Sequence, residues 1–168
     1  PLIKSCKDDA LRMGPYYLIT LKPQKTSMIT YDSINLPLPD IDQAATAAWV
    51  KAVAKAHGKR CGAIAYIFVD DEKILEVNRE FLQHDYYTDI ITFDYTEGNK
   101  ISGDLFISLD TVRTNAEDVG ATYEEELHRV IIHGILHLCG INDKGPGERE
   151  IMEAEEDKAL SLRKEMMG

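Results

Sequence analysis

The sequence predicts a single α+β domain, in which a mixed sheet of about four strands is packed with helices. Three observations lead there. Short apolar runs rich in β-branched and aromatic residues alternate with longer segments of helical period. Turn residues gather between those segments, and no internal repeat, linker or low-complexity tract interrupts them. A length of 168 residues suits one core, large enough to bury roughly two thirds of the surface that the unfolded chain exposes.

The elements follow in order. Residues 1–27 are mixed and basic, without clear periodicity, and Met28 then opens the strand-like MITYDS. Residues 1–27 are therefore expected to be an upstream extension or a loosely attached leader, and 28–168 the domain. After the turn-rich LPLPD, residues 41–57 read as an Ala-rich helix, capped by Asp40 or Asp42 and stopped by Gly58. Gly62 to Asp70 (GAIAYIFVD) reads as a buried strand. Glu72 to Gln83 carries Ile74, Val77, Phe81 and Leu82 at a helical period. Asp89–Tyr95 and Gly103–Leu109 are strands joined across Gly98-Asn99, the spacing of a hairpin. Asp110 is expected to cap Thr111–Val119, which ends at Gly120. Thr122 with Glu125 matches a capping box that opens a helix from Tyr123 to Cys139, and Gly140 stops it. Past Gly145-Pro146-Gly147, a charged helix runs from Glu148 to the region of Lys164.

Composition narrows the function. Hydrophobic residues at 44% and charged residues at 29% exclude wholesale disorder, collagen and a disulfide scaffold. No apolar run approaches the roughly 18 residues that span a bilayer, so no membrane partner is expected. The net charge of −10 is uneven, with residues 1–60 at +4 and 61–168 at −14. So acidic a body repels polyanions at long range and offers no broad nucleic-acid footprint. The local basic stretch of Lys51, Lys55, His57, Lys59 and Arg60 reads as a solvated helix face and its end. Three cysteines, Cys6, Cys61 and Cys139, without a CxxC pair, point to a reducing interior. The N-terminal stretch has no continuous apolar core of a secretory signal, so a cytoplasmic location is expected.

The chemistry gathers in Ile131–Lys144, IIHGILHLCGINDK. His133 and His137, four apart on a helix, project from one face and can offer two imidazoles to one metal ion. Both stand among Val130, Ile131, Ile135, Leu136 and Leu138, where an unsatisfied ring is costly. Gly140 turns the chain, and Asp143 can return as a third ligand, leaving an open position as catalytic zinc sites do. The zinc-peptidase pattern HExxH places a glutamate directly after its first His. Here that position is Gly134, which disfavours peptide hydrolysis by that route. No side chain is assigned as general base; the ion itself would activate a water by lowering its pKa. Cys139 reads as a core thiol, and His128, off the shared face, as a residue on the surface or behind the ligands.

HGILHLCGIND resembles the signature of the YbeY family of bacterial rRNA-maturation endoribonucleases, HGxLHLxGYDH. VNREFLQHDYYTDIITF (77–93) is similar to a second family segment, and SGDLFISLDTV (102–112) to its Gly-Asp-Ile strand. With the segment order, the resemblance covers roughly residues 28–165. It implies a single-domain α+β fold and one zinc ion, or another divalent metal, on three signature residues. Carried across, the ligands are His133, His137 and, where the family has a third His, Asp143. A carboxylate there keeps a ligand but makes the site less positive and suits a harder metal. A family Arg falls on Leu82, which cannot grip a phosphate bidentately. A family Lys falls on His84; His84 and Arg79 are the candidate phosphate contacts. Thr88, Asp89, Gly103 and Asp104 read as caps and turn residues bounding two strands.

The implied function is metal-dependent, single-strand-specific cleavage of RNA in 16S rRNA 3′-end maturation and ribosome quality control. The expected partners are rRNA and ribosomal particles or ribosomal proteins, with no DNA. Two rivals stand beside it: a ribosome-assembly factor whose metal is structural, and a metallohydrolase of another substrate.

Overall fold

Apolar runs such as AIAYIFV are continuous rather than alternating because both faces of the sheet they build are covered. The computed structural model describes residues 29–83 and 88–168, together with the backbone of Leu2–Ser5. The strands are β1 (Leu2–Ser5), β2 (Ile29–Ser33), β3 (Arg60–Val69), β4 (Ile90–Asp94) and β5 (Lys100–Ser108), in the order β1-β4-β5-β3-β2. β2, β3 and β5 are mutually parallel, β4 runs antiparallel to β5, and β1 parallel to β4. The four expected strands are β2 to β5, with the hairpin closing between Glu97 and Lys100. The fifth, β1, comes from within residues 1–27; the remainder of that expected extension lies outside the described residues.

The helices are α1 (Gln43–Ala56), α2 (Asp71–Val77), α3 (Leu109–Val119), α4 (Tyr123–Leu138) and α5 (Glu148–Met167). Successive strand residues point to opposite faces, so β3 divides its side chains between two cores. Tyr66 and Phe68 join Trp49, Val53, Val112, Ile131 and Ile135 beneath α1, α3, α4 and α5. Ala65 and Ile67 join Ile74, Val77, Phe81, Phe93 and Phe106 beneath α2. Two buried polar tips tie the first layer together. The Tyr66 hydroxyl donates to the Ile131 carbonyl at 3.1 Å, and Trp49 Nε1 to the Ala159 carbonyl at 2.7 Å.

Local signals mostly hold. Asp42 caps α1 through the Ala45 N–H at 2.9 Å, and Thr122 and Glu125 form both bonds of the capping box. Three expectations need correction. Glu72–Gln83 is not one α-helix: α2 ends at Val77 and a π-helical turn, Asn78–Leu82, carries on to Gln83 at φ 56°. α3 starts at Leu109 under a Ser108 cap rather than under Asp110, because β5 delivers Ser108 in the extended conformation that a cap requires. Asp110, already helical, instead accepts the Asp71 N–H at 2.9 Å. Gly103 and Asp104 lie inside β5 rather than at its boundary, since pairing with β3 begins at Lys100; the Asp104 carboxylate accepts from the Tyr95 hydroxyl at 3.2 Å.

Candidate metal centre

α4 begins with its capping box and carries Glu124, Glu125 and Glu126 in the first turn, where acids favour the positive helix end. Arg129, His133 and His137 follow at four-residue spacing, so they form one stripe. Gly134 lets the helix lie close on the sheet. A Cβ there would stand 2.9 Å from Ile90 Cδ1 and 3.1 Å from Leu105 Cδ2. The glutamate of an HExxH motif would have no room at this position.

The end of α4 brings the third group back. Gly140 adopts φ 98°, its N–H donates to the His137 carbonyl at 2.9 Å, and the Ile141 N–H donates to the Leu136 carbonyl at 3.0 Å. This is the Schellman pairing, with glycine supplying the left-handed residue. Asp143 Oδ2 then stands 3.4 Å from His133 Nε2 and 3.5 Å from His137 Nε2. The two rings are 4.5 Å apart at 77°. One donor atom from each residue lies within 4.8 Å of the others.

Those residues fit a divalent ion. Zinc bonds of about 2.0–2.1 Å in a tetrahedron put neighbouring donor atoms about 3.4 Å apart. His133 Nε2 and both ring nitrogens of His137 are buried without a hydrogen-bond partner, a loss of about 1–3 kcal/mol per group unless something answers it. Burial first, and then the neighbouring His133, push the His137 pKa down to about 4, so the ring is neutral and its lone pair available at neutral pH.

Behind the triad stands a residue that sequence reasoning missed. Glu156 on α5 is 5% exposed; its Oε2 meets His133 Nδ1, and its Oε1 accepts from Arg129 Nη1 at 3.0 Å. Arg129 Nη2 also donates to Asp157 Oδ1 at 2.7 Å. The available signal was a break in pattern. Met152, Glu156 and Ala159 form the buried stripe of α5, so a carboxylate occupies an apolar position.

Other candidates fall elsewhere. Arg79 sits on the π-helical turn in a surface groove with Glu72, Leu75, Glu76 and Glu80. That element covers the opposite face of the sheet from α4, so the fold does not bring Arg79 to His133, His137 and Asp143. His84 lies outside the described residues, and Leu82 packs against the second core. His128 is neither on the surface nor behind the ligands. Five residues before His133 is about 140° around the helix, and the ring is buried against Trp49 at 6.0 Å, with Nδ1 2.7 Å from the Glu124 carbonyl. Cys139 is a half-buried thiol against the first core, pushed up to about 11 by burial. Lys51 and Lys55 are exposed on α1, and His57 faces Glu155 at 3.4 Å. Among the described residues, no helix is long and apolar enough to cross a membrane.

Comparison with known proteins agrees in extent and kind. The family model described as Endoribonuclease YbeY matches residues 32–163. A protein of Bacteroides thetaiotaomicron named Endoribonuclease YbeY is 70% identical over 135 residues, spanning 80% of this chain and 98% of its own length. Its namesake from Porphyromonas gingivalis is 51% identical over 140 residues, 83% of this chain and 93% of that protein. The solution structure of TM1509 from Thermotoga maritima shares the fold, with a TM-score of 0.56 at 23% identity, over 82% of this chain and 92% of that one.

Proposed function

The chain belongs to the YbeY family of endoribonucleases, and from that premise we propose that it is a metal-dependent, single-strand-specific endoribonuclease of rRNA maturation, acting at the 16S 3′ end and in ribosome quality control. The observation that carries the proposal is the convergence of His133, His137 and Asp143, whose donor atoms lie within 4.8 Å of one another, the number of protein ligands with which catalytic zinc sites keep a fourth position for water or substrate. These three residues are the proposed ligands, zinc the proposed ion. When bound, the ion supplies Lewis acidity, acidifying a water and offsetting charge that gathers on the phosphodiester.

The chain's own residues do the rest. His137 is held neutral by burial and by His133, and so presents a lone pair without first losing a proton. Asp143, placed by the Gly140 turn, brings a carboxylate oxygen to both rings. Arg79 and His84 are proposed phosphate contacts for RNA reaching beyond the triad. The acidic body suits recruitment by basic ribosomal proteins over capture of free RNA, and the proposed location is cytoplasmic.

The test joins metal content to cleavage. Mass spectrometry of the purified chain is expected to find near one equivalent of zinc, largely lost in Asp143→Ala and in His137→Ala. Single-stranded rRNA fragments are cut by the wild type, and a chelator abolishes the cut. Bound zinc without metal-dependent cleavage would instead favour the assembly-factor reading; cleavage of esters or peptides in place of RNA would favour the other hydrolase.

A further inference from the structure

His133 has two ring nitrogens with different surroundings. Nε2 faces Asp143 Oδ2 at 3.4 Å, within the donor cluster. Nδ1 faces Glu156 Oε2. A carboxylate can only accept, so Glu156 calls for a proton on Nδ1, and Nε2 is then the nitrogen left to offer its lone pair to an ion held in the cluster. Glu156 is not free to do otherwise. Its second oxygen is claimed by Arg129 at 3.0 Å, and Arg129 is itself anchored on Asp157 at 2.7 Å. His137 has no such support, since neither of its ring nitrogens has a hydrogen-bond partner.

A buried carboxylate between Met152 and Ala159 is costly, and an apolar residue would pack there with no charge to desolvate. We infer that Glu156, held by Arg129, is the positioning residue of the centre: it fixes the tautomer and the ring orientation of His133 for metal binding. Partners of this type behind a ligating imidazole set its orientation and raise its basicity. The inference deepens the function proposed above and rests on its ligand set.

The geometry makes an unusual demand on the isosteric variant. In Glu156→Gln, Arg129 has only hydrogens to offer and so claims the amide oxygen. The amide NH2 is left against His133 Nδ1, which must then accept. That forces the proton onto Nε2, the nitrogen the metal needs. Removing the guanidinium as well, in Glu156→Gln/Arg129→Met, frees the amide to turn over and accept from Nδ1–H again.

Two measurements test this. Long-range nitrogen–proton NMR of the metal-free wild type, at a pH where the ring carries a single proton, is expected to show that His133 proton on Nδ1, and on Nε2 in Glu156→Gln. Zinc affinity, by competition with a chromophoric chelator, is expected to fall about ten- to a hundredfold in Glu156→Gln and to return most of the way in the double variant. A residue that merely filled space would not be rescued by a second loss. A proton on Nε2 in the wild type overturns the inference without recourse to any variant. Zinc affinity in Glu156→Gln within about twofold of wild type overturns it too, as does a double variant weaker than the single. A wild-type chain with the proton on Nδ1 that takes up no zinc overturns the ligand set instead, so the two failures are told apart.

Discussion

His128 and His137 share α4 and are both buried, and burial lowers the pKa of both rings below the ordinary imidazole value. Their surroundings separate their roles. His128 satisfies Nδ1 on the Glu124 carbonyl and packs against Trp49, whereas both His137 nitrogens are orphaned beside Asp143. Because the folded pKa of His128 is lowered, the unfolded chain takes up a proton first as pH falls through about 6.5. Stability is therefore full above that value and declines below it. The urea midpoint of the metal-free protein is expected to fall between pH 7 and pH 5, and to fall less in His128→Phe. Equal losses in the two proteins would remove His128 from the acid response.

At the scale of elements, the turn after α4 connects backbone to chemistry. Gly140 at φ 98° closes the Schellman pairing that returns Asp143 to the two imidazoles. Alanine there is expected to cost about 1–2 kcal/mol, the penalty of a left-handed β-carbon, and to weaken zinc binding because Asp143 shifts. Gly58, at φ 71° after α1, provides the comparison. Gly58→Ala should lose similar stability in urea titration and keep its zinc affinity. If both variants bind zinc as the wild type does, the turn does not position the carboxylate. α5 shows another side of element-scale design. Its buried stripe accepts Glu156 at an apolar position, and Arg129 of α4 completes the pair across the helix interface.

The whole molecule places its chemistry on one layer. α4 lies over the centre of the first core, with α1, α3 and α5 around it, while α2 and the π-helical turn close the other face. Among the described residues, both cores are built from Ile29 onward, and the backbone of Leu2–Ser5 pairs with β4 at the edge of the sheet. Because residues 1–27 are mixed and basic without a helical or strand period of their own, their deletion is expected to keep the fold, the zinc and the activity. A melting temperature lowered by more than about 10 °C, several kcal/mol for a chain of this size, would make that segment part of the domain.

Much was legible in the sequence because the signals are local. The capping box, the Asp42 cap, the Gly98-Asn99 hairpin and the pairing of His133 with His137 each rest on groups within a few residues of one another. Asp143 belongs to the same class, reached through a single glycine turn. What tertiary structure alone decided depends on packing between distant segments. Glu156 is 23 residues beyond His133 and meets it only because α5 lies against α4. Arg79, a candidate phosphate contact, stands apart from the triad because its element covers the other face of the sheet. His128 is buried because α1 brings Trp49 against it, and β1 is a strand because β4 offers an open edge. Helical period and caps are short-range hydrogen-bond and packing preferences, carried by the residues themselves. Which faces meet is set by the topology of the sheet, and the metal centre needs both.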